Sequence, residues 1–205
     1  MLNPQEAKDL IRIARLSILM HLDPANANLY EKEMNTLTKK LSAVNQKKGV
    51  FVTLLTYPSL QLRGCIGFPY PVLPLIEAVK EAAREAAFQD PRFMRLAKEE
   101  LNKIVIEISL LSEPKLMDKA TLPDSIEIGK HGLIVQFNGF SGLLLPQVAI
   151  EFHFSPLEFL QETCLKAGLN KDTWKEASCK VYSVSYTHLR AHETRHDLVC
   201  RLLLE

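Results

Sequence analysis

The run Leu62-Arg63-Gly64-Cys65-Ile66-Gly67 constrains this chain most, because it holds one thiol between two glycines where a hydrophobic strand gives way to a turn. Glycine on either side removes side-chain bulk and permits backbone angles closed to other residues, so a ligand could approach the sulfur. Arg63, two positions earlier, brings a fixed cation, and a guanidinium within a few ångströms favours thiolate, the reactive form, over thiol. The structural alternative is a packed turn, since cysteine is among the most buried residue types. A catalytic cysteine also needs a base partner, which sequence order alone does not locate.

A chain of 205 residues, 47% hydrophobic, is long enough for one substantial domain or two small lobes. Its 25 basic and 24 acidic residues leave a formal charge of +1, which gives neither a nucleic-acid footprint nor a membrane-seeking basic face. No apolar run is long enough to span a bilayer, and Met1-Leu2-Asn3-Pro4-Gln5-Glu6 lacks the layout of a signal peptide, so the expected location is cytoplasmic. Cys65, Cys164, Cys179 and Cys200 are widely spaced and form no Cys-x-x-Cys pair, which argues against a disulfide framework and a structural zinc site.

The periodicities predict an α/β chain of the α+β type. Residues 4 to 22 read as a helix opened by Pro4, with Ala7, Leu10, Ala14 and Ile18 at helical spacing. The polar stretch after Asp23-Pro24 reads as a connection or a short surface helix. Strands are expected over 49 to 56, from Leu62 to Gly67, and over 104 to 111, where Glu107 and Ser109 share a partly polar face. Between the last two, a helix opens at Pro74 and ends near Asp90, because Pro91 disfavours helical angles in the residue before it. Residues 126 to 150 read as a hairpin or meander. Ser155-Pro156-Leu157-Glu158 is a capping box whose helix stops at Gly168, and a strand begins at Lys180.

Several polar residues join Cys65 as candidates. Asp90 and Arg92 flank Pro91 in a rigid loop, as a helix-ending salt bridge or as cleft groups. His131, beside Gly132 in a turn, is either a base or anion ligand for the Cys65 site or simply solvated. Gln147 follows Pro146 in an apolar segment expected to be an edge strand or bulge, where a buried carboxamide needs partners or a ligand. Glu107 is the natural counter-ion for Arg63 or Arg92, and Cys164 reads as core.

Further stretches recur in a fixed order: Gly49-Val50-Phe51-Val52-Thr53-Leu54, Ala86-Ala87-Phe88-Gln89-Asp90-Pro91-Arg92-Phe93, Ile106-Glu107-Ile108-Ser109, Gly129-Lys130-His131-Gly132-Leu133, Ser141 to Ala149 and Thr163 to Leu169. With the Arg-Gly-Cys-Ile-Gly core, residues 4 to 183 resemble the AMMECR domain, called AmmeMemoRadiSam system protein A in prokaryotes. The resemblance implies a two-lobed fold with a mixed sheet, flanking helices and a polar cleft. It also implies neighbours: a Memo-like protein and a radical S-adenosylmethionine enzyme. It assigns no reaction.

The end of the chain reads differently. Val184 to Thr194 resembles a translated transposase adapter from sequencing libraries, and Asp197 to Glu205 the read-through of the adapter that follows, so residues 1–183 are taken as a domain truncated at its last strand and 184–205 as a non-native tail. His192-Glu193-Thr194-Arg195-His196 matches the zincin pattern, but it falls in this tail without a third ligand and is read as a chance match.

Two functional classes follow. In one, a substrate-binding or accessory component works with the radical enzyme and the Memo-like protein. In the other, an enzyme uses Cys65 as nucleophile or redox thiolate, His131 or Asp90 for proton transfer, and Arg63 and Arg92, with Glu107 and Gln147 near them, to hold a small anionic substrate. The chain carries neither a nucleotide-phosphate loop nor the Cys-x-x-x-Cys-x-x-Cys cluster of a radical enzyme, and no cofactor or metal is expected. The missing catalytic constellation favours the accessory class.

Overall fold

A computed structural model describes residues 2–41, 46–194 and 197–203. The chain divides into two compact units: the first runs to Leu110 and resumes at Thr187, and the second is Leu111–Tyr186.

The first unit begins with α1 (Pro4–Leu22), where Asn3 and Glu6 form a reciprocal capping box and Pro4 occupies the first turn. The polar stretch after it becomes α2 (Ala27–Thr38), whose only buried residue is Met34. Strands β1 (Gly49–Thr56) and β2 (Leu62–Phe68) form an antiparallel pair, α3 (Leu75–Phe88) follows, and β3 (Ile104–Leu111) comes next. Leu10, Ala14 and Ile18 of α1, Val79, Ala82 and Ala83 of α3, Val50, Val52 and Leu54 of β1, and Ile104, Ile106 and Ile108 of β3 make one core. Because strand side chains alternate, Phe51, Thr53, Glu107 and Ser109 lie on the other face of the sheet.

The second unit contains β4 (Lys115–Leu116), the hairpin β5 (Gly132–Phe137) and β6 (Phe140–Leu144), α4 (Pro146–Glu151), α5 (Pro156–Lys166) and β7 (Lys180–Val184). The Ser155 capping box starts α5, and Gly168 follows it at φ +75°, a left-handed conformation that favours glycine. Phe159, Leu160, Cys164, Leu133 and Val181 share its core. The segment expected to be an edge strand or bulge at Gln147 is instead helical. Pro146 takes the first helical position, where its fixed φ is already suitable and its missing N–H costs nothing.

The strands form two sheets, in the orders β2-β1-β3-β8-β9 and β4-β7-β5-β6, in keeping with the α+β class, and the β1–β2, β4–β7, β5–β6, β5–β7 and β8–β9 pairs are antiparallel. In the segment that resembles an adapter, β8 (Tyr186–Thr194) lies beside β3 and β9 (Asp197–Leu203) pairs with β8. Leu189 is fully buried in the first core. His192 to Thr194 are on a strand and not on the helix that the zincin pattern requires, and His196 lies outside the described residues.

Ending the chain at Ser185 is therefore expected to destabilise it. The β3 edge loses its partner, a buried leucine leaves the core, and Glu107 loses Arg190 and His188. A loss of about 2 kcal/mol or more is expected from the buried leucine alone, read as a lower urea midpoint. An unchanged midpoint would show that the segment adds nothing.

Candidate functional site

The β1–β2 register sets Thr53 opposite Cys65. In an antiparallel pair, a residue's N–H and C=O both point toward the partner strand or both away from it. Those of Cys65 point away, into the loop after α3. Its N–H donates to Asp90 Oδ2 (2.9 Å), and its carbonyl accepts from Arg92 Nη2 (3.2 Å). Arg92 also donates to Asp90 through its backbone N–H (3.1 Å), Nε (2.9 Å) and Nη2 (2.7 Å). The Asp-Pro-Arg loop thus imitates a neighbouring strand at the sheet edge, supplying an acceptor and a donor to one residue.

The arrangement fixes both charges. Hydrogen bonding from Arg92 outweighs burial and holds the Asp90 carboxyl far below the usual carboxylate range, while Asp90 raises the Arg92 guanidinium. Asp90, with 1% of its side chain exposed, is saturated with donors and suits positioning better than proton transfer. Arg92 keeps 54% of its side chain exposed, lies 5.5 Å from the centre of the Phe93 ring, and has no partner at Nη1 among the described residues.

The sulfur is held from the opposite side. Thr53 Oγ1 donates to Cys65 Sγ (3.2 Å), and the thiol is half-buried. All three polar groups of Cys65 are therefore engaged by named side chains. The flanking glycines do different work from that expected of them: a Cβ on Gly64 would stand 2.2 Å from the Ala86 carbonyl oxygen of α3, and one on Gly67 would stand 2.2 Å from the Val50 oxygen and 2.6 Å from the Phe51 ring. They admit the protein's own backbone and an aromatic ring.

Arg63 lies on the same face of β2 as Cys65, but its guanidinium is committed to the loop. Nε and Nη2 donate to the two oxygens of Glu100 (3.0 and 3.1 Å), and Nη1 donates to the Met94 carbonyl (2.8 Å). The pairing lowers the Glu100 carboxyl below its ordinary value. The Met94 side chain is 85% exposed.

Glu107 pairs with neither Arg63 nor Arg92. It is buried on β3, bonded to Arg190 Nε and 3.5 Å from His188 Nε2, while Ser109 Oγ and His188 Nδ1 lie 3.3 Å apart. Burial pushes its carboxyl up, but the hydrogen bond and charge of His188, together with Arg190, hold it below the ordinary value.

His131 and Gln147 belong to the second unit. His131 Nδ1 accepts the Glu127 N–H (3.2 Å), and its Nε2 lies 4.0 Å from Glu127 Oε1. Gln147 Oε1 is buried without a partner among the described residues. Cys164 and Cys179 are also in this unit and almost fully buried; desolvation pushes the Cys164 thiol up to about 11 and the Cys179 thiol up as well.

The AMMECR1 family model matches residues 11–188. The chain belongs to the AMMECR1 family. A protein of Aquifex aeolicus is 46% identical over 183 residues, covering 88% of this chain and 90% of that protein. Protein MJ0810 of Methanocaldococcus jannaschii is 44% identical over 164 residues, covering 78% and 81%. The crystal structure of the uncharacterized protein PH0010 from Pyrococcus horikoshii superposes with a TM-score of 0.83 at 38% identity, covering 98% of this chain and 99% of that one. All seven candidates lie inside the AMMECR1 match, which ends within β8 at His188. Two residues of the Cys65 neighbourhood escape sequence reasoning: Thr53 reads as an ordinary β-former, and Glu100 sits in a segment without periodicity.

Proposed function

We propose that this AMMECR1-family domain is a substrate-binding or accessory component that presents Cys65 and Arg92 to a small anionic ligand, within a cytoplasmic assembly containing a radical S-adenosylmethionine enzyme and a Memo-like protein. The observation that carries it is the fixation of Cys65 through N–H, C=O and Sγ beside a guanidinium whose Nη1 has no partner among the described residues. A guanidinium already held in place loses little freedom when it binds an anion. Asp90 offsets its charge, so the domain alone binds weakly and a partner completes the site. Family membership supports the assembly, whose partners the resemblance supplies.

The alternative class, an enzyme with Cys65 as nucleophile or redox thiolate, is favoured by one feature, the Thr53 hydroxyl directed at the sulfur. The saturation of Asp90 weighs against it by removing one of the two proton-transfer candidates.

Titrating inorganic phosphate and acetate against the protein by NMR tests the ligand reading. Shifts at Cys65 and Arg92 with a dissociation constant on the order of millimolar are expected, and Arg92→Gln should weaken binding at least about tenfold. Identical titration of the variant would remove the anion site.

A further inference from the structure

We infer that Thr53 is the positioning residue of the Cys65 thiol, an inference that rests on the reading of Cys65 as the presented group. Because the Cys65 N–H and C=O are turned outward to Asp90 and Arg92, Thr53 and Cys65 form a non-hydrogen-bonded cross-strand pair, the kind in which facing side chains stand closest. Both point to the face of the sheet away from the core, since Val52 and Leu54 on one strand and Ile66 on the other pack against that core.

Packing does not require a hydroxyl at this position. Thr53 is half-buried, so water could satisfy its oxygen, and valine would fill the same shape on a strand. The hydroxyl nevertheless donates to Sγ at 3.2 Å. A β-branched side chain has few χ1 choices, so the donor stays aimed at the sulfur. A donor in that place fixes the direction in which the sulfur faces a ligand.

The test is site-resolved alkylation of Cys65 by iodoacetamide across a pH series, read by peptide mass spectrometry. In this probe reaction the thiolate forms a sulfur–carbon bond, iodide leaves with the electron pair of the broken carbon–iodine bond, and the thiol proton passes to buffer. Thr53→Val should lower the rate near neutrality by about three- to tenfold, the range expected for losing one ordinary hydrogen bond. Thr53→Ser, which keeps the donor, should restore most of the rate. Thr53→Ala supplies a second hydroxyl-free variant should the valine protein fold poorly. An unchanged profile in the hydroxyl-free variants, or a serine variant as slow as valine, overturns the inference. Because the anion titration does not depend on Thr53, a normal titration with an unmoved alkylation profile would refute this role alone and leave the ligand reading standing.

Discussion

Gly64→Ala is expected to cost most or all of the stability of the first unit. The added methyl would stand 2.2 Å from the Ala86 carbonyl oxygen and 3.1 Å from its carbon, so it meets backbone, which cannot rotate away as a flexible side chain can. Either β2 lifts from α3 or the last turn of α3 moves, and both shift the Cys65 backbone from its Asp90 and Arg92 partners. Overpacking of this kind costs about 1–3 kcal/mol when side chains can adjust and more when they cannot, against a total stability of about 5–15 kcal/mol. Thermal unfolding followed by circular dichroism should show a melting temperature lower by about 10 °C or more, or no cooperative transition. A melting temperature equal to that of the wild type would mean that β2 has more room beside α3 than the structure gives it.

Thiol labelling should separate the cysteines by a large factor. Cys65 is half-exposed on an edge strand, whereas Cys164 and Cys179 are 0% and 1% exposed and burial disfavours their thiolates. Native-state labelling resolved by peptide mapping should modify Cys65 at least about a hundredfold faster than either buried cysteine, which react only when the second unit opens. Comparable rates at Cys65 and Cys164 would reduce Cys65 to a packing residue.

Much of the fold is legible in the sequence because its elements carry strong local signals. Helical spacing and Pro4 delimit α1, alternation delimits β3, and the Ser155 capping box marks the start of α5. The misreadings arise where one local signal has two physical outcomes. Pro146 interrupts a strand ladder and also suits a helical first turn, and the apolar run around it decides nothing. A glycine beside a cysteine admits a ligand or the protein's own backbone, and only the approach of Ala86 and Val50 distinguishes the two.

The candidate site follows the same pattern. Chemistry-bearing residues are recognisable by type, but their partners depend on which strands become neighbours. Arg63 is two residues from Cys65 in sequence yet binds Glu100, while Arg92, 27 positions away, donates to the Cys65 carbonyl. Glu107 finds its partners, Arg190 and His188, on β8, in a segment whose sequence resembles an adapter and which nonetheless lies beside β3. Thr53 becomes visible only once the β1–β2 register is known.

The most direct test of the central proposal is product formation by the proposed assembly, reconstituted from this domain, a radical S-adenosylmethionine enzyme and a Memo-like protein, comparing the wild-type domain with Cys65→Ala. Cys65 is half-exposed and its thiol makes one hydrogen bond among the described residues, so its removal should leave the melting temperature within a few degrees of wild type. The account predicts a folded Cys65→Ala domain and no product. Wild-type product from the folded variant would contradict it.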